Sequence, residues 1–212
     1  MPSLVTRFHL LLFTVTVAIT GVALVHIPSS FAFAAHWRGS AADWTWPRDV
    51  ALATALLLQI AFLGGFHLLG RVLTKNHIAK TRHILEPALT LLMALPAACQ
   101  LALLFNGIGS DLDLFRGTAF ALAAVLLVFG VVIFEAERHS YAGLRMPWPI
   151  ASDRAWRVVH RLSGAASGLC ALGLAALAWS DPGPGLLTLS MAASLIGLLT
   201  LAACATLVTR RL

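Results

Sequence analysis

Long apolar stretches alternate with short polar segments along the whole chain. The apolar runs cover residues 8–25, 49–70, 84–105, 117–135, 163–179 and 185–208. Each run is long enough to cross about 30 Å of hydrocarbon at about 1.5 Å per residue, the fifth only narrowly. Because lipid offers the backbone no hydrogen-bond partners, each run must form a helix. The pattern predicts an all-α fold, a single transmembrane domain over residues 1–212 that forms an integral membrane bundle of six transmembrane helices.

Composition supports this interpretation. Of the 212 residues, 59% are hydrophobic and 11% are charged, whereas soluble domains carry roughly 25% charged residues. The net charge of +6 comes from basic residues in the short segments between apolar runs. That placement favours a role in membrane orientation over direct binding of nucleic acid.

The basic residues are distributed asymmetrically between the two sides of the predicted bundle. If the N-terminus is cytoplasmic, 12 of the 15 basic residues fall on the cytoplasmic side. Only Arg38, Arg48 and Arg116 fall on the outer side. The positive-inside rule therefore predicts an N-in, C-in topology. A competing interpretation of the first run is a cleaved signal peptide, with Arg7 as its basic residue and Ala32-Phe33-Ala34 as its cleavage site.

The predicted cytoplasmic segment before the fifth run, residues 139–164, has its own features and is called the signature segment. Pro147 and Pro149 stiffen the chain on either side of Trp148. Ser152 or Asp153 can cap a helix that starts there and continues into the fifth run.

Within that helix, side chains four residues apart lie on one face. The spacing places Asp153 over Arg157, Arg157 over Arg161, and Trp156 one turn from His160. We therefore expect an amphipathic lead-in that runs directly into the membrane.

The signature segment resembles the motif of the SdpI immunity-protein family, which reads roughly G-I-R-T-P-W-T, a short acidic stretch, W, N/H-R and G. The matching residues are Gly143, Arg145, Pro147, Trp148, Ser152, Asp153, Trp156, His160, Arg161 and Gly164. Two positions depart from the motif, Pro149 in place of Thr and His139 in place of Asn. The outer loop adds a second, shifted similarity through His36, Trp37 and Asp43.

This resemblance implies a function as well as a fold. The family prototype is a six-helix membrane protein that protects its producer from a membrane-active peptide toxin, so the resemblance implies an immunity protein of the bacterial cytoplasmic (inner) membrane. The resemblance also implies a signalling role, in which a cytoplasmic repressor is held at the membrane. The expected partners are the lipid bilayer, a peptide toxin on the outer side and that repressor, and we expect no catalytic residues and no cofactor.

Two other functions remain open at this stage. His67, His83, Glu86 and His160 are metal-ligand types near the predicted inner rim, and facing histidines can also bind haem. Such a site would make the chain an intramembrane metal- or haem-binding enzyme, which metal analysis and a visible spectrum would detect. The alternative is that these histidines lie at helix ends without a ligand.

The second alternative is a small transporter with a path along the third run. Pro87 and Pro96 would kink that helix, and Gln100 lies deep within it. Flux into liposomes would test this function. Against it, Gln59 and Gln100 more often form interhelical hydrogen bonds.

The sequence also predicts contacts for several further residues. Glu86 and Glu135 are expected to pair with basic neighbours such as Arg82 and Arg138. The Gly164-x-x-x-Gly168 pattern predicts close helix packing within the bundle, with a homodimer as the alternative. Arg145 is the strongest single candidate for function, because an arginine there can bind a lipid phosphate or an acidic group on a partner.

Overall fold

The structure is a computed structural model that describes residues 4–38, 41–138, 144, 150 and 152–209, without the side chains of residues 75, 77, 80, 83 and 84. Among the described residues, six helices are long and apolar enough to cross a membrane. The predicted fold class is therefore confirmed, and the chain is a multi-pass helical membrane protein. The N-in, C-in orientation stays a prediction. The chain divides into two compact units, Met1–Thr118 and Ala119–Leu212.

The first unit contains three membrane-spanning helices that pack on one another. These are α1 (Arg7–His26), α2 (Arg48–Val72) and α3 (Lys75–Gly107). Helix α3 begins nine residues before the predicted run, although its apolar span is Leu85–Gly107. The polar residues ahead of the apolar span did not end the helix, because charged side chains are compatible with helix outside the hydrocarbon layer.

Polar side chains link these three helices at their centre. Gln59 of α2 is fully buried, and its amide nitrogen donates to the Thr16 hydroxyl at 3.0 Å and to the Met93 carbonyl at 2.8 Å. Gln100 of α3 likewise donates to the Thr20 hydroxyl of α1 at 2.8 Å. The predicted interhelical hydrogen bonds are therefore present, and α1 supplies an acceptor to each of the other two helices.

A short antiparallel sheet connects α1 to α2, which the hydrophobic pattern did not predict. It comprises β1 (Ala32–Arg38) and β2 (Ala41–Pro47), called the hairpin. In β1 the alternate residues Phe33 and Ala35 are buried, whereas β2 is mostly exposed. The all-α class therefore describes the membrane-spanning part, and the hairpin adds a small β element beside it.

The second unit contains most of α4 (Leu114–Phe134), together with α5 (Asp153–Ser180) and α6 (Pro184–Val208). Helix α5 packs on α6. The turn between them begins at Asp181, which adopts the left-handed conformation with φ 49°, and Pro184 starts α6 at a position where proline is favoured. Helix α5 starts ten residues before the fifth apolar run, so the predicted lead-in from Asp153 is confirmed.

Candidate functional site

The signature segment ends in a well-capped helix start. The Ser152 hydroxyl accepts a hydrogen bond from the Ala155 backbone N–H at 3.1 Å, so Ser152 is the N-cap of α5. The Asp153 carboxylate forms an ion pair with Arg138, which follows the end of α4. This pair joins the two ends of the segment between α4 and α5, a contact that helical spacing could not predict.

Trp156 and His160 stack on each other and contact the backbone of the same segment. Their rings lie 3.9 Å apart with an angle of 19° between the planes. The indole N–H of Trp156 donates to the Ala136 carbonyl at 2.9 Å. The predicted one-turn neighbours are thus in contact, and Trp156 fixes the chain just after α4.

Both ring nitrogens of His160 have backbone partners. Nδ1 donates to the Trp156 carbonyl at 2.9 Å, and Nε2 accepts from the Leu144 N–H at 2.8 Å. Because a carbonyl can only accept and an N–H can only donate, the two bonds fix the neutral tautomer with the proton on Nδ1. His160 is 1% exposed, so it anchors Leu144, near the middle of the signature segment, to α5.

Gly164 allows α5 to cross α4 at very short distance. A Cβ atom at Gly164 would lie 2.6 Å from the Gly130 carbonyl oxygen and 2.7 Å from the Phe134 nitrogen. One turn further, the Ser167 hydroxyl donates to the Leu126 carbonyl at 2.7 Å. Gly164 therefore serves packing within the chain, which is the first of the two roles predicted for the Gly164-x-x-x-Gly168 pattern.

A groove of about 350 Å³ opens beside this crossing, between the end of α4 and the start of α5. Arg138, Arg157 and Arg161 line it together with Trp156 and His160. The Arg161 guanidinium carbon lies 5.8 Å from the centroid of the Phe134 ring, within cation–π range. The structure thus brings three of the predicted signature residues, Trp156, His160 and Arg161, to one small groove, which the carboxylates of Glu135, Glu137 and Asp153 also line.

The other predicted signature residues, Gly143, Arg145, Pro147 and Trp148, lie outside the described residues, and so do His139 and Pro149. The prediction that Arg145 binds a phosphate or an acidic partner stays a prediction.

The hairpin brings together two of the three predicted outer-loop residues. His36 Nδ1 donates to the Asp43 carboxylate at 2.5 Å, and Arg38 lies 3.8 Å from the same carboxylate. Strand pairing skips Asp43, so this residue sits in a bulge that directs its side chain toward β1. The hydrogen bond from His36 holds the pKa of Asp43 below its ordinary value, and the positive charge of Arg38 adds a smaller effect. Trp37, the third predicted residue, is 42% exposed.

Arg48 is a functional side chain that the sequence interpretation assigned only to the outer side. Its guanidinium donates to the Ile27 carbonyl at 2.7 Å and pairs with Asp49 at 2.8 Å. A cation at the carboxy-terminal end of a helix satisfies free carbonyls and opposes the negative end of the helix dipole. Arg48 therefore caps α1 and ties it to α2, a role that requires knowing how the hairpin folds back.

The candidate metal ligands lie in different environments. His67 is exposed on α2, and Glu86 pairs with Arg82 at 2.6 Å, as predicted. His160 has no nitrogen free of a backbone partner, and the His83 side chain lies outside the description. Within the described residues, no three histidine, cysteine or carboxylate side chains gather around a common point. The predicted ion pair between Glu135 and Arg138 is not formed. Arg138 pairs with Asp153 instead, and Glu135 forms no ion pair with any described residue.

Comparison with known proteins bears on the second unit. No curated protein and no solved structure is significantly similar to the chain. Residues 135–209 match the model of the SdpI/YfhL protein family. The match begins at the end of α4 and covers the signature segment, α5 and α6. The resemblance predicted from the signature segment is thereby confirmed: over residues 135–209 the chain is similar to the SdpI/YfhL protein family.

Proposed function

We propose that this chain is an immunity protein of the bacterial cytoplasmic membrane, which protects the cell that carries it from a membrane-active peptide. The observation that carries the proposal is the family match over residues 135–209. The role is one of binding and protection rather than catalysis. The six apolar helices support residence in the membrane that such a peptide attacks.

The hairpin offers an aromatic surface for contact with a peptide. Trp37 and Trp44 are 42% and 38% exposed, and Trp44 packs edge-on against Trp46 at 5.2 Å. Indole rings favour the boundary between lipid and water, where an amphipathic peptide also collects. Arg48 and the buried Phe33 hold the hairpin against the helices of the first unit. We infer that this rigid aromatic surface faces the outer side and contacts the peptide.

The proposal extends to signalling through the signature segment. The signature segment is fixed at three points by Arg138, Trp156 and His160. The described part of this segment, Leu144 and the start of α5, is held in place by these contacts, which suits recognition by a cytoplasmic repressor. This part of the proposal rests on the family resemblance and on the predicted orientation.

Survival of a sensitive bacterium tests the function directly. Expression of the chain should raise the concentration of a membrane-disrupting peptide that the cells tolerate, for at least one member of a panel of such peptides. Unchanged killing across the panel, with the protein present in the membrane fraction, would contradict the proposal.

A pair of variants tests whether the hairpin is the surface that contacts the peptide. W37A/W44A should lose protection while keeping its expression level, because it removes the two exposed indoles of the hairpin. Trp179→Ala is the matched control, because Trp179 is 80% exposed at the far end of α5. If W37A/W44A protects as well as the original chain, the hairpin is not the contact surface, and the function would have to rest on another part of the molecule.

A further inference from the structure

We propose that α5 carries a binding site for the phosphate of an anionic phospholipid, formed by Arg157 and Arg161 at the groove beside α4. Three arginines, Arg154, Arg157 and Arg161, are called the arginine stripe. At 3.6 residues per turn they fall within an arc of about 60° on one face of the helix. All three are exposed. The site is distinct from the proposed peptide contact and does not depend on it.

The depth of these residues fits a phospholipid headgroup. Helix α5 has 28 residues, which corresponds to about 42 Å, and the hydrocarbon layer is about 30 Å thick. Its far end carries the exposed Trp179, a residue type that favours the membrane boundary. If Trp179 lies at one boundary, about two turns at the start of α5 extend beyond the hydrocarbon at the other. These turns contain Arg154 and Arg157, and Arg161 lies at the boundary, where a long arginine side chain reaches the headgroups.

Among the described residues, no carboxylate pairs with an arginine of the stripe. Across the described residues, Arg154, Arg157 and Arg161 form no ion pair, whereas the neighbouring Arg138 is paired with Asp153. The contact of Arg161 with Phe134 is through the ring face, which leaves guanidinium N–H groups available. Arginine binds phosphate oxygens with two parallel hydrogen bonds, so Arg157 and Arg161 one turn apart suit a single phosphate group.

The surface next to the arginine stripe suits an acyl chain. Val158, Leu162 and Leu169 are 41%, 45% and 71% exposed. Their spacing of four and seven residues places them in one row along α5, adjacent to the arginines. The Phe134 ring at the groove is also exposed. A lipid whose phosphate lies on Arg157 and Arg161 can therefore extend its hydrocarbon along this row into the membrane.

Carboxylates in the lining of the groove limit which headgroup fits. Glu135 and Glu137 line the groove with the arginines. They repel a second negative group, which favours a headgroup with a single phosphate and no further negative charge, such as that of phosphatidylglycerol. They would also attract an ammonium group, which makes a zwitterionic lipid the competitor. Phosphatidylethanolamine carries the ammonium group and is the competing lipid in the test.

Lipid titration of the purified full chain tests the site. Phosphatidylglycerol is added to the protein in a zwitterionic detergent, and bound lipid is counted by native mass spectrometry alongside thermal unfolding. We expect saturable binding that R157Q/R161Q weakens roughly tenfold or more, because each variant residue loses a charged hydrogen bond to phosphate. R157K/R161K should bind with intermediate affinity, since lysine keeps the charge but not the paired geometry.

The control separates a site from general attraction to negative lipid. R7Q/R71Q removes two exposed arginines from the predicted cytoplasmic side of the first unit and should bind phosphatidylglycerol as the original chain does. Equal loss in R7Q/R71Q and R157Q/R161Q would overturn the proposal, and so would unchanged binding in R157Q/R161Q. Tighter binding of phosphatidylethanolamine than of phosphatidylglycerol would overturn the assignment to an anionic lipid. Since no killing assay enters this test, its outcome is independent of the proposed immunity function.

Discussion

Asp43 shows how one extra residue in a strand determines a local interaction. The strands pair Trp44 with His36 and Ala42 with Trp37, so Asp43 has no partner in the ladder. A regular strand would direct this side chain by simple alternation. The bulge instead brings the carboxylate onto the His36 ring, with Arg38 nearby. The contacts of these three polar residues therefore depend on irregular strand pairing, with register shifts on both sides of His36.

We predict that acid weakens the hairpin through Asp43. The pKa of this carboxyl is lowered below 3.8 in the folded chain, chiefly by the hydrogen bond from His36. The ionised carboxylate therefore stabilises the hairpin above its unfolded pKa of about 3.9, and this contribution is lost as the pH falls through the lower folded value. The protection of the β1 amides against hydrogen exchange in detergent, taken relative to the intrinsic exchange rate at each pH, should fall below about pH 4.

Asp43→Asn removes the titrating group while keeping its size, so its β1 exchange should no longer show this acid-dependent step. Asp111→Asn, at an exposed position before α4, provides the comparison and should retain the step. An identical acid response in D43N would show that another group is responsible.

At the scale of helices, α4 and α5 meet through backbone atoms. The crossing joins Gly130 to Gly164, and the Ser167 hydroxyl bonds the Leu126 carbonyl in the next turn. In membranes, where lipid tails are as apolar as leucine, such close contacts and buried hydrogen bonds hold helices together. The position of the signature segment depends on this crossing, because Trp156 and His160 project from α5 two turns or less before Gly164.

Gly164→Ala should separate these two helices. The new methyl group would overlap the Gly130 carbonyl oxygen and the Phe134 nitrogen, which are backbone atoms and cannot rotate away. Overpacking of this kind costs about 1–3 kcal/mol, which lowers the unfolding temperature in detergent. Gly168→Ala is the matched control, since a Cβ there meets nothing within 4 Å. Equal stability of the two variants would mean that the crossing is looser than the distances indicate.

The elements differ in how far the sequence alone predicts them. The six helices and the lead-in from Asp153 follow from local features, namely apolar length and the spacing of side chains along one helix. The stacking of Trp156 on His160 follows from the same spacing. In contrast, the Arg138–Asp153 pair joins residues 15 positions apart, and the capping of α1 by Arg48 requires the chain to fold back through the hairpin. Such contacts depend on tertiary arrangement, which a single sequence does not specify.

The hairpin itself had a local signal that the apolar pattern concealed. Trp44, Thr45 and Trp46 are strand-forming residues, and Gly39-Ser40 is a dipeptide that commonly separates two paired strands. A search for long apolar runs passes over this segment because it is too short and too mixed to span a membrane. The alternation of buried Phe33 and Ala35 becomes meaningful only when helices cover one face.

For the whole molecule, the distribution of charge predicts which parts of the chain lie on each side of the membrane. The family match concerns residues 135–209, while the hairpin and the polar links among α1, α2 and α3 belong to the first unit. The proposed function has the peptide bind on the outer side and the repressor bind in the cytoplasm. It therefore requires the hairpin and the signature segment to lie on opposite sides of the membrane. The asymmetry of the basic residues predicts this arrangement.

Labelling on each side of α2 tests that arrangement. Arg38→Cys lies in the hairpin at an 87% exposed side chain, and Arg71→Cys lies in the last turn of α2. In a background with Cys99, Cys170 and Cys204 replaced by alanine, a membrane-impermeant maleimide should label R38C in intact cells. It should label R71C only after the membrane is opened, because α2 is 25 residues long and spans about 37 Å. The reverse pattern would invert the molecule and place the signature segment outside, where it could not contact a cytoplasmic repressor. Labelling of both from one side would contradict the six-span topology itself.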